Sequence, residues 1–274
     1  MKLIANARMY AVNAAVEARW REIFGWIAQR SEVPLEVIEH APPAPLEALW
    51  RRADLGAAAM CGYPLATWAR GHDPPPVPIV APAPLPAPFA GRPVYWTDIV
   101  ARVDSRFECD DDLAGARFGW TVEDSQSGYQ APRRHFAARA LARGGRFFGS
   151  VHGPLVTPRG VVDSILEGSI DAGPLDAYWH ALLRRHEPAT AERLRVIART
   201  EETPIPCFVA ASAAGGALRE RLGQAFVDAG EAEALGNARS DLALAGFERV
   251  DAGAYRILAS QAQEVDALGY ARLG

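Results

Sequence analysis

The sequence predicts an α/β protein of two doubly wound lobes with a ligand cleft between them, and three observations carry that expectation. Strand-like and helix-like patterns alternate over the first 60 residues and again over 98–203. Two strand-like segments, Val94–Val103 and Thr203–Ala211, stand at the joints between these stretches. The helices that follow residue 211 then need a sheet to cover, which the first lobe supplies. The expected division is 1–97 plus 204–274 in lobe 1 and 98–203 in lobe 2, joined by two crossover strands. The cleft between the lobes is expected to be lined by helix N-termini and strand ends.

Each element has a local reason. Lys2–Ala7 reads as a short strand. Ala14–Gln29 carries Val16, Trp20, Ile23, Phe24 and Ile27 at helical spacing. Leu35–Ile38 is a second strand, Pro45 opens a helix that runs through Arg52 to Gly56, and Ala57–Met60 is a third strand. From Asp73 to Pro93 the chain carries Pro74, Pro75, Pro76, Pro78, Pro82, Pro84, Pro86 and Pro88. Such density disfavours helix and central strand, so extended surface chain is expected, as a linker or as an ordered loop with a strand near Ile79-Val80.

Beyond Val94–Val103, a short helix is expected at Asp110–Leu113 and a strand at Arg117–Thr121. Pro132–Ala142, Pro158–Glu167 and Asp176–His186 read as helices, and Phe147–Val151, Ile170–Gly173, Leu194–Arg199 and Pro204–Ala210 as strands. Helices are expected over Ala217–Asp228, Glu231–Leu242 and Ala252–Leu268, the last two interrupted by Gly246-Phe247. No repeat of 20–50 residues occurs.

Composition narrows the function. With 274 residues, 49% hydrophobic and 23% charged, the chain has the make-up of a globular protein. Its 33 acidic and 29 basic residues leave a net charge of −4, which offers no basic face for nucleic acid. Any bound anion must be held by local groups, because the overall field repels it mildly. Cys61, Cys109 and Cys207 lie far apart, which is neither a disulfide framework nor a zinc pattern, so free thiols are expected. No cofactor and no metal are expected. No stretch reaches the roughly 18 apolar residues of a membrane span. Met1–Arg8 lacks the apolar core of a signal peptide, so the compartment is expected to be periplasmic if an export signal has been removed and cytoplasmic otherwise.

The sharpest local signal is Asp124-Ser125-Gln126-Ser127-Gly128-Tyr129-Gln130-Ala131-Pro132-Arg133. Hydroxyls and a glycine precede a helix whose first turn holds Pro132. Free N–H groups at a helix start, with the dipole behind them, favour an anion. Ser125 and Ser127 can donate O–H bonds, and Gly128 permits close backbone approach. Plain N-capping by Ser127 or Asp124 is the competing reading.

Four further places compete in the same way. Ser150 and His152, in Gly149-Ser150-Val151-His152-Gly153, can donate to an oxyanion or serve a turn. Thr157 reads as an N-cap before Pro158, with Arg159 able to reach an anion or to stay structural. Tyr63, in Cys61-Gly62-Tyr63-Pro64, is a cleft wall or a turn residue. Asp176 can meet a ligand amine or cap the following helix. Catalysis is not expected: there is no Gly-x-Ser-x-Gly elbow, no His-Glu-x-x-His and no Walker loop.

These residues resemble a known family, the substrate-binding components of phosphate/phosphite/phosphonate ABC transporters, over nearly the whole length. The resemblance rests on Ala7-Arg8-Met9-Tyr10, Cys61-Gly62-Tyr63-Pro64-Leu65, Tyr95-Trp96-Thr97-Asp98-Ile99-Val100, Asp111-Asp112-Leu113-Ala114-Gly115, and above all on Asp124–Arg133. Leu166-Glu167-Gly168-Ser169-Ile170-Asp171-Ala172, Thr203-Pro204-Ile205-Pro206 and Ala245-Gly246-Phe247 extend it. It implies the type II periplasmic-binding fold and hinge closure over a small anionic ligand, phosphate- or phosphonate-like, with an ABC permease as partner. It also implies that Ser125, Ser127, Gly128 and Tyr129 contact that ligand, with Tyr10, Tyr63 and Thr97 around the same cleft. A cytosolic enzyme or a ligand sensor acting on a small acid is the alternative on the same fold.

Overall fold

The computed structural model describes residues 2–68 and 74–274, and these divide into two compact units: 1–94 with 204–255, and 95–203 with 256–274. Asp73, at the head of the proline-rich stretch, lies outside the described residues.

In chain order the first elements are β1 (Leu3–Asn6), α1 (Ala14–Ser31), β2 (Leu35–Val37), α2 (Leu46–Trp50), β3 (Leu55–Met60), α3 (Gly62–Ala66) and β4 (Val77–Pro84). There follow β5 (Val94–Tyr95), β6 (Thr97–Arg102), β7 (Arg117–Gly119), α4 (Ala131–Ala142), β8 (Ser150–His152), α5 (Pro158–Glu167), β9 (Ala172–Asp176), α6 (Ala177–His186), α7 (Pro188–Ala191) and β10 (Leu194–Arg199). The chain ends through β11 (Thr203–Pro204), β12 (Cys207–Ala210), α8 (Gly216–Glu231), α9 (Gly236–Asp241), β13 (Leu244–Arg249) and α10 (Arg256–Ala267).

Unit 1 is built on a six-stranded sheet of order β13-β4-β12-β3-β1-β2. β1 runs parallel to β2 and β3, so all three end at one edge, while β12 and β13 run antiparallel to their neighbours. Trp20 and Phe24 of α1 meet Phe208 of β12, and Phe226 of α8 stacks on Phe208 at 5.1 Å. The apolar stripe of α1 expected from its spacing is the face that covers this sheet.

β4 contains the strand expected near Ile79-Val80 but is longer and lies inside the sheet. The proline-rich segment forms an eight-residue strand with partners on both sides. Proline cannot donate to a ladder and is disfavoured there. The pairing adapts by register shifts between Phe208 and Val209 on one side and between Leu244 and Gly246 on the other. Gly246-Phe247, expected to interrupt helices, lies inside edge strand β13. The helix expected at 231–242 reduces to a short turn at Glu233–Leu235 and α9.

Unit 2 carries a five-stranded sheet of order β10-β6-β9-β7-β8. β7 runs parallel to β8 and β9, and β6 antiparallel to β9 and β10. Phe118 of β7, Phe136 of α4, Phe147 and Phe148 form its aromatic core, with Phe118 stacked on Phe148 at 4.4 Å. The segment expected as one strand, Val94–Val103, breaks at Trp96, whose indole turns to Asp98 Oδ1 at 2.9 Å.

The expected boundary differs at the tail. Residues 256–274 pack with unit 2, not with the first lobe. The cause is Arg133, whose side chain is 4% exposed. It donates to Asp266, to the carbonyls of Tyr270 (3.1 Å) and Ala271 (3.0 Å), and to that of Ala262 (3.2 Å). Leu273 N–H donates to Tyr129 Oη, and Phe147 N–H to Gly274 O. Arg133→Met leaves these carbonyls without their donor. It is expected to cost about 2–4 kcal/mol and to open 256–274 to limited proteolysis; a cleavage pattern and midpoint equal to the parent would refute this clamp.

Candidate functional site

In unit 2 the parallel strands β7, β8 and β9 end at Gly119, His152 and Asp176, and antiparallel β6 begins beside them, Thr97 pairing with Asp176. Ligands of open α/β sheets collect at such a carboxyl edge. The chain leaves β7 and folds into a wide helical turn, Gln126–Gln130, which continues as α4.

Ser125 caps this turn: its Oγ accepts from Gly128 N–H at 2.9 Å. Its carbonyl accepts from both Tyr129 N–H (3.1 Å) and Gln130 N–H (3.0 Å), which sets the widened pitch. The cap is therefore Ser125, not Ser127 or Asp124. Ser127 is half-buried, and neither its N–H nor its hydroxyl bonds another described residue. Thr97 Oγ1 donates to the Ser127 carbonyl at 3.0 Å and ties the turn to the head of β6.

Gly128 is demanded by packing. A methyl group there would stand 1.8 Å from Thr121 Oγ1 and 2.9 Å from both Thr121 Cβ and Ser125 Oγ. Thr121 itself is buried, and its hydroxyl has no hydrogen-bond partner among the described residues. Asp176 accepts from Tyr178 N–H (2.8 Å) and Trp179 N–H (3.0 Å) and so caps α6. Burial, and then the Asp176 charge, push the Tyr178 phenol well above its usual range.

Beneath the edge lies a buried charge network. Asp98 receives Trp96 Nε1–H, Arg199 Nε–H at 3.2 Å and His180 Nδ1 at 2.7 Å. Burial opposes its ionisation, yet the bonds from His180 and Trp96 and the charge of Arg184 hold its carboxyl below the ordinary range. Burial pushes the His180 imidazole down, helped by the charges of Arg184 and Arg199. His180 is thus neutral, with Nδ1–H donating to the Asp98 carboxylate.

The sequence profile described as "ABC transporter, phosphonate, periplasmic substrate-binding protein" matches residues 11–255. The chain belongs to that family. Its fold is similar to a binding protein component of an ABC phosphonate transporter from Pseudomonas aeruginosa, at 17% identity and a TM-score of 0.80 over 99% of this chain and 90% of that one. It is also similar to PhnD1 from Prochlorococcus marinus in complex with methylphosphonate, at 16% identity and a TM-score of 0.75 over 96% of this chain and 98% of that one. The alkanesulfonate-binding protein SsuA from Xanthomonas axonopodis pv. citri, bound to MOPS, matches at 19% identity and a TM-score of 0.60, over 98% of this chain and 93% of that one. No curated protein matches.

In this phosphonate-family chain the edge of unit 2 brings together Ser125, Ser127, Gly128, Thr97 and Asp176. Thr157 caps α5 through Gly160 N–H, and the residues before it bond to Trp120 and Thr121. Ser150 and His152 stand on edge strand β8 and bond each other at 2.8 Å. Three expectations need correction. Tyr129 is 6% exposed, its ring against Trp120 and its hydroxyl accepting from Leu273 N–H, so core packing claims the side chain. Arg159, expected at an anion, pairs with Glu187 at 2.7 Å and lies over Trp179. Tyr10, in the turn after β1, is 1% exposed in the core of unit 1. Tyr63 is half-buried in α3, at the edge where β3 ends.

Sequence reasoning missed four residues: Arg8, Arg133 as a clamp, and the Asp98–His180 pair. Arg8 and Arg133 sat inside quoted motifs. No local pattern links Asp98 to a histidine 82 positions away.

Proposed function

We propose that this chain binds a small tetrahedral oxyanion of the phosphonate or phosphate class at the turn Ser125–Gln130 and passes it to an ABC permease from the periplasm. Family membership supports the transport role and the compartment, and the turn supports the ligand class. The single observation that carries the reading is Ser127, whose N–H and hydroxyl are unengaged at the positive end of the twelve-residue helix α4. Thr97 fixes that turn from the sheet side, and the backbone donors answer an overall charge of −4 that would repel an anion.

Ser127→Ala tests it. Charge-assisted bonds contribute about 1.5–3 kcal/mol each, so affinity for methylphosphonate should fall roughly ten- to hundredfold by calorimetry. Stability should hold within about 0.5 kcal/mol, since Ser125 is the cap. Ser125→Ala, by contrast, should cost about 1 kcal/mol of stability. Undiminished affinity in Ser127→Ala would remove the turn from the site.

A further inference from the structure

Unit 1 has its own carboxyl edge, where the parallel strands β1, β2 and β3 end at Asn6, Val37 and Met60. Arg8 stands there, two residues beyond β1. Its backbone N–H donates to Asn6 Oδ1 at 2.9 Å, while Asn6 Nδ2 donates to Ile38 O. Its Nη1 donates to the carbonyls of His40 (3.0 Å) and Ala44 (2.6 Å), so the loop after β2 fixes the guanidinium in place. Nε and Nη2 bond no described residue, and no described carboxylate lies within 4.0 Å of the group.

Several other arginines are compensated differently. Arg19, Arg51, Arg52, Arg102, Arg117 and Arg139 each meet a carboxylate at 2.6–3.0 Å. Arg219 and Arg239 also bond only carbonyls, Arg219 that of Ser212, and Arg239 those of Ala229 and Ala232 at the end of α8, where the helix supplies negative potential. Arg8 meets neither a described carboxylate nor the end of a helix. Carbonyl dipoles orient a guanidinium without cancelling its charge, and a half-buried cation is left costly until an anion arrives. Burial accordingly lowers its pKa.

We infer that Arg8 holds an oxyanion at the carboxyl edge of unit 1, a carboxylate, phosphonate or sulfonate of a small acid meeting Nε and Nη2 side by side. That face of a guanidinium matches two oxygens of such a group, and the loop carbonyls have already restricted the side chain, so little rotamer freedom remains to be lost on binding. The inference concerns residues of unit 1 alone and does not depend on the turn Ser125–Gln130.

The test is to follow the Arg8 Nε–H resonance in the intact chain, assigned by its loss in Arg8→Lys, during titration with acetate, inorganic phosphate, methylphosphonate and phosphonoacetate. The resonance should move and saturate with at least one of these acids at millimolar concentration or below. Arg8→Lys should weaken that acid by roughly tenfold or more in calorimetry, because a lysine offers no bidentate face. Arg8→Gln should abolish the saturable response to that acid while the protein still unfolds cooperatively. A resonance that stays in place, or drifts linearly without saturating, with all four acids overturns the inference and leaves Arg8 as a staple of the 38–45 loop. Repeating the titration in Ser127→Ala separates the two proposals: a lost response to methylphosphonate at Ser127 with a static Arg8 sinks only this one.

Discussion

Gly128→Ala is expected to reduce methylphosphonate affinity roughly a hundredfold or more and to cost about 1–3 kcal/mol of stability. The new methyl group would fall 1.8 Å from Thr121 Oγ1, and rotating that hydroxyl away would not suffice, because Thr121 Cβ is itself only 2.9 Å off. Thr121 is 5% exposed and cannot withdraw into solvent. The helix start must therefore lift, breaking the 3.3 Å bond from Thr121 N–H to Gly128 O and disturbing the Ser125 cap. Thr121→Gly removes both offending atoms, so the double variant should recover most of the affinity. Full binding by Gly128→Ala alone would show that the turn is not held by this contact.

Asp98→Ala should destabilise unit 2 by about 3–5 kcal/mol, read from chemical unfolding. The carboxylate is 2% exposed and joins β6 to α6 through His180 and to β10 through Arg199. Its removal takes the carboxylate acceptor away from a buried imidazole N–H and from the Trp96 indole N–H. The pair also predicts a pH dependence. Asp98 titrates lower in the folded protein, so its contribution is complete above the ordinary carboxylate range near pH 3.9 and is lost as pH falls through its depressed folded value. His180 also titrates lower when folded. The unfolded chain then gains the proton first, and stability declines as pH falls from about 6.5 toward the folded value. His180→Gln should flatten that upper limb of the unfolding midpoint against pH and leave the acid limb in place. A parent protein with an unchanged midpoint between pH 7 and pH 5 would contradict the buried neutral imidazole.

Much of this molecule is legible in one dimension because its signals are local. The spacing of Val16, Trp20, Ile23, Phe24 and Ile27 is an apolar stripe wherever the helix ends up, and the cap-and-proline pattern at Thr157-Pro158 starts α5 as expected. Ser-x-Ser-Gly before Pro132 marks a helix start from composition alone, and the resemblance built around it named the family that residues 11–255 match. The cap there was expected at Ser127 or Asp124 and stands at Ser125. Packing decides that: Thr121, in the loop after β7, occupies the space a side chain at Gly128 would need, and the Gly128 N–H donates to Ser125 Oγ.

Three features were settled only by contacts between distant segments. The proline-rich 77–84 segment is a strand because β12 and β13 flank it and yield in register, whereas proline's local preference argues against such a place. Tyr129 and Tyr10 look like binding aromatics in a motif, but each core had an opening for a large ring, and burial of apolar surface took them. The tail after residue 255 carries no local mark of which sheet it will cover. Arg133, more than a hundred residues earlier, draws it to unit 2, because a buried guanidinium needs the carbonyls that the end of α10 and the residues beyond it provide. Local chemistry in the sequence determined the elements and the helix start; which side chains those elements leave exposed at the carboxyl edges was decided by the desolvation and packing demands of partners far along the chain.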